Sequence, residues 1–448
     1  MASAFGLRRL LGLVLSATCV TVATCHDHWV DIWASMPQQV EPYNLPNPPY
    51  NGTDGVFQNT TIRQTVYLTQ DASTIRLQFS NAFGNSDLPI TAATIALPVN
   101  GTAGSSAIHT DTVKYLTFSG SRSFQVPNGA LVVSDPLRFP VKAQTSLTIT
   151  VYLAAGQAGF GITGHPGSRT SSWLSQGNLV AAADLNSSSS SSSSVSSSSG
   201  SGTNVQRIDK WFLISAVQAW LPPSHVALAI VGDSITDGRG STTNGNDRWP
   251  DRLLARLQKS AHSTPSLHSI SVLNMAAGGN RILVDGLGPN ALGRIERDVL
   301  AHPNVRYAIV FEGVNDLGMA AADAATQKAV GDRLIQAYDQ MVARLHGAGI
   351  AVFGATITPM SGPSQAYGDP AREAERQRVN RWIRTSGRFD AVVDFDAAVR
   401  DPKNGTMLRK EYDSGDYLHL NPAGYKAMTE AVDLRLFARF AGGSSAMV

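Results

Sequence analysis

The chain has 448 residues, 43% of them apolar and 16% charged, with a formal net charge of +2. That length allows two domains or one large domain with a sizeable core. Near-neutral charge without a dense Lys/Arg stripe excludes the electrostatic footprint of a nucleic-acid-binding protein.

In chain order, Arg8 and Arg9 precede a short apolar stretch, residues 10–23, too short to span a bilayer as a stable helix. Positive charge, a short apolar core and then small residues spell a secretory signal over residues 1–25, with cleavage after Ala23 or Cys25. Both cysteines, Cys19 and Cys25, fall within it, so no internal disulfide is expected in the mature chain. Cleavage after Cys25 would leave His26-Asp27-His28 at the front, a pattern able to bind Cu²⁺, but no functional metal is expected there. Asn-x-Ser/Thr sequons at Asn51, Asn59, Asn100, Asn186 and Asn404 suit a secreted glycoprotein.

Residues 26–222 read as a β-rich accessory domain. Segments 61–68, 73–79 and 147–153 alternate in polarity, turn signals such as Asn128-Gly129 and Gly84-Asn85 separate such runs, and helical periodicity is absent. A β-sandwich or jelly-roll-like module is expected. Within it, residues 186–202 are nearly pure serine and cannot bury enough apolar area to offset ordering, so they predict a disordered loop. Because 205–220 again looks strand-like, that loop reads as an insertion in a hairpin connection. Pro222-Pro223 marks the boundary.

Beyond it, over 223–440, the pattern changes. Apolar runs at 226–231, 270–273, 307–311, 351–357 and 391–395 predict strands buried on both faces, and helices are predicted at 248–259, 327–346, 371–385 and 422–437. Such alternation implies a parallel sheet covered on both sides, whose ligands gather at the carboxyl ends of the strands.

Chemistry-bearing residues fall at those ends. Ser234, in Gly232-Asp233-Ser234, follows the first strand and would open a helix, where backbone N–H groups can receive a developing oxyanion. A serine hydroxyl needs a base to become a nucleophile; the competing reading is that Asp233 or Ser234 merely caps the helix. Asn274 through Asn280 follows the second strand, and Gly313-Val314-Asn315-Asp316 the third. Glycine N–H groups and an asparagine amide suit an oxyanion hole, although a strand-end turn explains each alone better. Asp416-x-x-His419 offers a carboxylate and an imidazole. Asp237, Asp247, Arg248 and Trp249 could shape a pocket but suit capping and packing better, and Asp394 and Asp396 read as turn residues.

Taken together, Gly232-Asp233-Ser234-Ile235, the 274–279 block, Gly313-x-Asn315-Asp316 and Asp416-x-x-His419 resemble the GDSL/SGNH hydrolase family, in its order. Ile235 replaces the commoner leucine. The resemblance covers residues 227–438 and implies a flavodoxin-like three-layer α/β/α domain and ester or acyl hydrolysis with no cofactor and no metal. It implies Ser234 as nucleophile, His419 as general base and Asp416 as the residue orienting the imidazole. The Ser234 N–H, the Gly279 N–H (favoured over Gly278 by its spacing from Asn274) and the Asn315 side chain would form the oxyanion hole. Thr61-Ile62-Arg63-Gln64 and Ser80-Asn81-Ala82-Phe83-Gly84 resemble the β-rich module of secreted microbial members.

The expected protein is therefore a secreted, extracellular, monomeric serine esterase without a membrane span or nucleic-acid partner. It would act through an acyl-enzyme on carboxylic esters, with acetylated polysaccharide the leading substrate. The alternatives are a lipase-like esterase for longer acyl chains, which predicts an exposed apolar collar, and a catalytically lapsed carbohydrate- or surface-binding protein.

Overall fold

The structure, a computed structural model, describes residues 26–186 and 205–444. The expected signal segment, both cysteines and the serine run beyond Asn186 lie outside the described residues.

The N-terminal half is built from antiparallel strands. One six-stranded sheet runs Gln206–Ile208, Ser172–Gln176, Thr60–Tyr67, Ser146–Leu153, Ala92–Ala96, Lys114–Tyr115. A five-stranded sheet places His28–Ala34 and Ala72–Ser80 on either side of Ile214–Leu221, with Leu131–Val133 and Leu137–Val141 both pairing with Ala72–Ser80. Alternation decides what each face does: Ile75, Leu77 and Phe79 point inward from one sheet. They join Ile62, Ile149, Val151 and Leu174 of the other sheet in a single apolar core. The serine run connects two strands that pair antiparallel, Ser172–Gln176 and Gln206–Ile208.

The two N-terminal motifs hold this half together. Arg63 is buried and donates to the Ser106, Leu179 and Ala182 carbonyls and the Thr150 hydroxyl. Gln64 exchanges two hydrogen bonds with the backbone of Phe212. Asn81 donates to the carbonyls of Ser86, Val126 and Pro127, and a side chain at Gly84 would collide with it. Each pairs buried backbone groups of segments far apart in the chain.

The C-terminal half contains one five-stranded parallel sheet. In space its strands run Ile270–Ala276, Val226–Gly232, Val305–Phe311, Ala351–Ala355, Ala391–Val393. In chain order this is 2-1-3-4-5, the flavodoxin-like arrangement, with a switch point beside the first strand. Ala227 through Val231 have no exposed surface, which requires cover on both faces. Helices Trp249–Ser260 and Pro422–Ala431 pack together, as do Ala324–Gly347 and Pro370–Thr385. The helix expected over 422–437 is two, Pro422–Ala431 and Arg435–Arg439, because Val432 turns extended and the Asp433 carboxylate accepts the Arg435 N–H. The strand expected over 391–395 stops at Val393, where Asp394 caps helix Phe395–Val399 by accepting from Ala397 N.

Strand Ile214–Leu221 closes the N-terminal half and Val226–Gly232 opens the parallel sheet, with Pro222-Pro223 between them. The halves share an interface. Ser35 bridges Asn274 in parallel, so the strand His28–Ala34 approaches the edge of the parallel sheet. Buried Asp31 accepts from His302 Nδ1 at 2.6 Å, and Asn304 donates to the Trp29 carbonyl at 2.9 Å. No helix among the described residues is long and apolar enough to cross a membrane.

Candidate active site

Strand Val226–Gly232 delivers Ser234 to the carboxyl edge of the sheet. The Gly232 backbone has no room for a side chain, because a Cβ would lie 2.5 Å from the Thr236 hydroxyl. Asp233 is the cap: its Oδ1 accepts the Ile235 N–H at 2.9 Å. The serine is thereby left free for other work. The helix it opens, Ser234–Asp237, is a single turn closed by Gly238 at φ 96°. A turn this short has little macrodipole, so the local N–H groups matter more than the helix.

Ser234 Oγ lies 2.8 Å from His419 Nε2, and His419 Nδ1 lies 2.6 Å from Asp416 Oδ2. A carboxylate on Nδ1 fixes the ring proton there, leaving Nε2 as an acceptor for the serine hydroxyl. Ser234 and His419 are both buried. The other oxygen of Asp416 accepts the backbone N–H groups of Leu418 and His419, at 3.1 and 2.8 Å. Partial burial raises the Asp416 pKa, but bonds from the His419 ring and backbone outweigh it and hold the carboxyl well below the usual carboxylate range.

Gly279 and Asn315 line the same cavity of about 500 Å³ as Ser234 and His419. Gly279 sits at φ 71°, where a side chain would be strained and would meet Leu287 at 2.7 Å. The Asn315 amide is locked in orientation. Its Nδ2 donates to the Asn280 carbonyl at 2.9 Å, and its Oδ1 accepts from the Tyr367 hydroxyl at 3.0 Å. One N–H of Nδ2 thus remains for a ligand. Gly278 lines the cavity too. All five residues expected at the site are therefore gathered at one edge of the sheet.

Arg294 was not singled out by its sequence context. Fully buried Arg294 donates to the Gly232 and Met275 carbonyls, to Asn280 Oδ1, and to Asp298 and Glu312. One guanidinium thus ties together the ends of three neighbouring strands under the serine. Its only sequence trace is the i,i+4 pair Arg294 and Asp298. Asp316 accepts the N–H groups of Ile282 and Leu283, holding the chain just after the 274–280 block. Burial raises the pKa of Asp233 to about 7, and nearby Asp316 and Asp237 add to the shift. Glu312 and Asp316 are raised for the same first reason, burial.

Asp237 does more than cap or pack. It lines the cavity and accepts from His165 Nε2 at 2.8 Å, while His165 Nδ1 contacts the Met36 carbonyl. His165 belongs to the β-rich half, as do Gly167 and Arg169, which also line the cavity. A second cavity at this interface, about 30 Å³, has room for about one water. Trp249 packs on Phe395, Arg248 pairs with Asp251, and the Asp247 carbonyl accepts from Arg252. Asp394 and Asp396 pair with Arg384 and Arg376, serving the fold. Among the described residues no group of three or more His, Cys, Asp or Glu is placed to share a metal ion.

Residues 230–427 match the family described as GDSL-like lipase/acylhydrolase. The C-terminal half carries a GDSL-like lipase/acylhydrolase domain. No curated protein matches the chain. Among solved structures, it is similar to an acetyl xylan esterase from Geobacillus stearothermophilus, at 20% identity over 50% of this chain and 99% of the other, TM-score 0.35. A carbohydrate acetylesterase from Sinorhizobium meliloti is 14% identical over 48% and 99%, TM-score 0.36. A GDSL-like lipase from Bacteroides thetaiotaomicron is 16% identical over 48% and 87%, TM-score 0.32.

Proposed function

We propose that the protein is a secreted serine esterase that hydrolyses carboxylic esters through an acyl-enzyme, with acetyl groups on a carbohydrate as its substrate. The observation that carries the catalytic part is the unbroken line of hydrogen bonds from Ser234 Oγ through the His419 ring to Asp416. His419 Nε2 takes the hydroxyl proton as Ser234 Oγ attacks the ester carbonyl carbon. The oxyanion is received by the N–H groups of Ser234 and Gly279 and the free N–H of Asn315. His419 then protonates the leaving alcohol, and a water that gives its proton to His419 releases the acid. Asp416 stays ionised throughout and stabilises the imidazolium. The acyl group would lie in the cavity beside Gly279.

Secretion is proposed from residues 1–25, and the exposure of Asn59, Asn100, Asn186 and Asn404 is compatible with glycosylation. A preference for longer acyl chains is a second reading, favoured by Leu287 and Met319, which line the cavity yet are 41% and 60% exposed. They form a small apolar rim of the kind that reading predicts. Turnover of p-nitrophenyl acetate by the folded Ser234→Ala protein at the wild-type rate would overturn the mechanism. A chain-length series of p-nitrophenyl esters, with acetate release from acetylated glycans beside it, separates the two substrate readings: activity should peak at acetyl.

A further inference from the structure

Three arginines, Arg169, Arg239 and Arg281, line the cavity that holds Ser234 and His419. Among the described residues, none of their guanidiniums lies within ion-pair distance of a carboxylate. Elsewhere the fold neutralises this group readily: Arg294, Arg376, Arg378 and Arg384 each pair with acids. The Nε atoms of Arg169 and Arg281 are buried and have no hydrogen-bond partner, and Arg281 reaches only the Asp285 carbonyl, through one of its two terminal nitrogens. Arg239 is exposed. The acid that shares their cavity, Asp237, is already engaged by His165.

Arg169 comes from the β-rich half on a loop held from several sides. It has φ 52°, a conformation uncommon for a side-chain-bearing residue and kept only where the surroundings enforce it. Here they do. Asn244 N–H donates to the Arg169 carbonyl, the Asn244 side chain accepts the Ser171 N–H, and Arg248 donates to the Ser168 carbonyl. Gly167 lets the loop press on Asp237, since a Cβ there would lie 1.7 Å from its carboxylate. The catalytic half thus grips the loop and leaves the guanidinium unpaired at the cavity wall. Buried N–H donors without partners are costly unless a ligand satisfies them, and the planar fork of arginine fits a carboxylate.

Resting on the esterase reading above, we propose that this cavity selects acetyl esters whose alcohol portion carries a carboxylate, as a uronic-acid glycan does. Arg169 and Arg281 read that carboxylate, so the β-rich half is a working wall of the site.

The test compares 4-acetoxybenzoate with its neutral methyl ester, each rate divided by that of alkaline hydrolysis, together with acetate release from acetylated polygalacturonate before and after methyl-esterification. The full chain should prefer each anionic member by roughly 10-fold or more in kcat/KM, the scale of a charge-assisted hydrogen bond. Arg169→Gln and Arg281→Gln, each shown folded by thermal melting, should lower that ratio about 10-fold. The two residues sit on different elements, so one informative variant suffices. Equal rates on the matched pairs, an unmoved ratio in a folded variant, or fatty-acid release from phosphatidylglycerol vesicles exceeding glycan deacetylation would each overturn the proposal. Failure of the wild type on every ester would instead overturn the esterase reading beneath it.

Discussion

Replacing Asp416 by asparagine should abolish turnover while leaving the fold in place, and the reason lies in how the carboxylate is held. One of its oxygens accepts two backbone N–H groups, from Leu418 and His419; the other accepts His419 Nδ1. Asparagine has one oxygen. Turning that oxygen toward the ring would strand two backbone donors against an NH₂ group, at roughly 1–3 kcal/mol each. The oxygen therefore stays with the backbone and the NH₂ faces Nδ1. The ring must then accept at Nδ1 and carry its proton on Nε2, where it points at Ser234 Oγ and cannot act as the base. Loss of kcat should be about 10⁴-fold, the scale of the wrong tautomer in serine hydrolases. The assay is p-nitrophenyl acetate hydrolysis with a melting curve alongside, and Tm should stay near wild type because the turn keeps its acceptor. A folded asparagine variant retaining more than about a tenth of wild-type kcat would refute this account, since the predicted loss is some three orders larger.

Asn315→Ala removes the one side-chain donor at the oxyanion position and should cost roughly 10²–10³ in kcat, with a smaller change in KM. Asp233→Asn keeps the Ile235 cap but removes a carboxyl whose folded pKa is about 7. In the wild type the carboxyl is protonated when folded and ionised when unfolded between its ordinary pKa and about 7, so stability falls as pH rises through that window. The variant should therefore gain stability over wild type at pH 8 and lose that advantage near pH 4, measured by urea unfolding at both pH values. Gly167→Ala places a methyl against the buried Asp237 carboxylate and should lower stability by about 1–3 kcal/mol and reduce kcat/KM. Gly278→Ala, whose Cβ would meet nothing nearer than 4.0 Å, should be mild in stability by comparison.

Much of the site was legible because its chemistry is concentrated at strand ends. A buried apolar strand must stop in a turn, and Gly232 and Gly313 each mark one, whereas the second strand runs on through Asn274 to Ala276 before its turn. Residues whose work depends on distant partners left no comparable signal. Arg294 sits in an ordinary amphipathic stretch, and its role appears only when the ends of three strands converge on it. Asp237 looked like a capping residue because its partner, His165, lies 72 positions away. The boundaries of short elements were similarly hidden: Asp394 stops a strand by capping the next helix, and Asp433 splits another.

By itself the sequence determined the alternation of strands and helices in the C-terminal half, the β-rich character of the N-terminal half, and the residues Ser234, His419 and Asp416 that the fold brings together. Periodicity and local turn chemistry are short-range properties, and a few residues suffice to express them. The tertiary structure alone decided that the β-rich half lines the cavity holding Ser234 and His419. Ser35 bridges Asn274, His165 binds Asp237, and Arg169 reaches the cavity because two surfaces far apart in sequence fit together. Such complementarity is a property of packed shapes and buried charges, which no local pattern encodes.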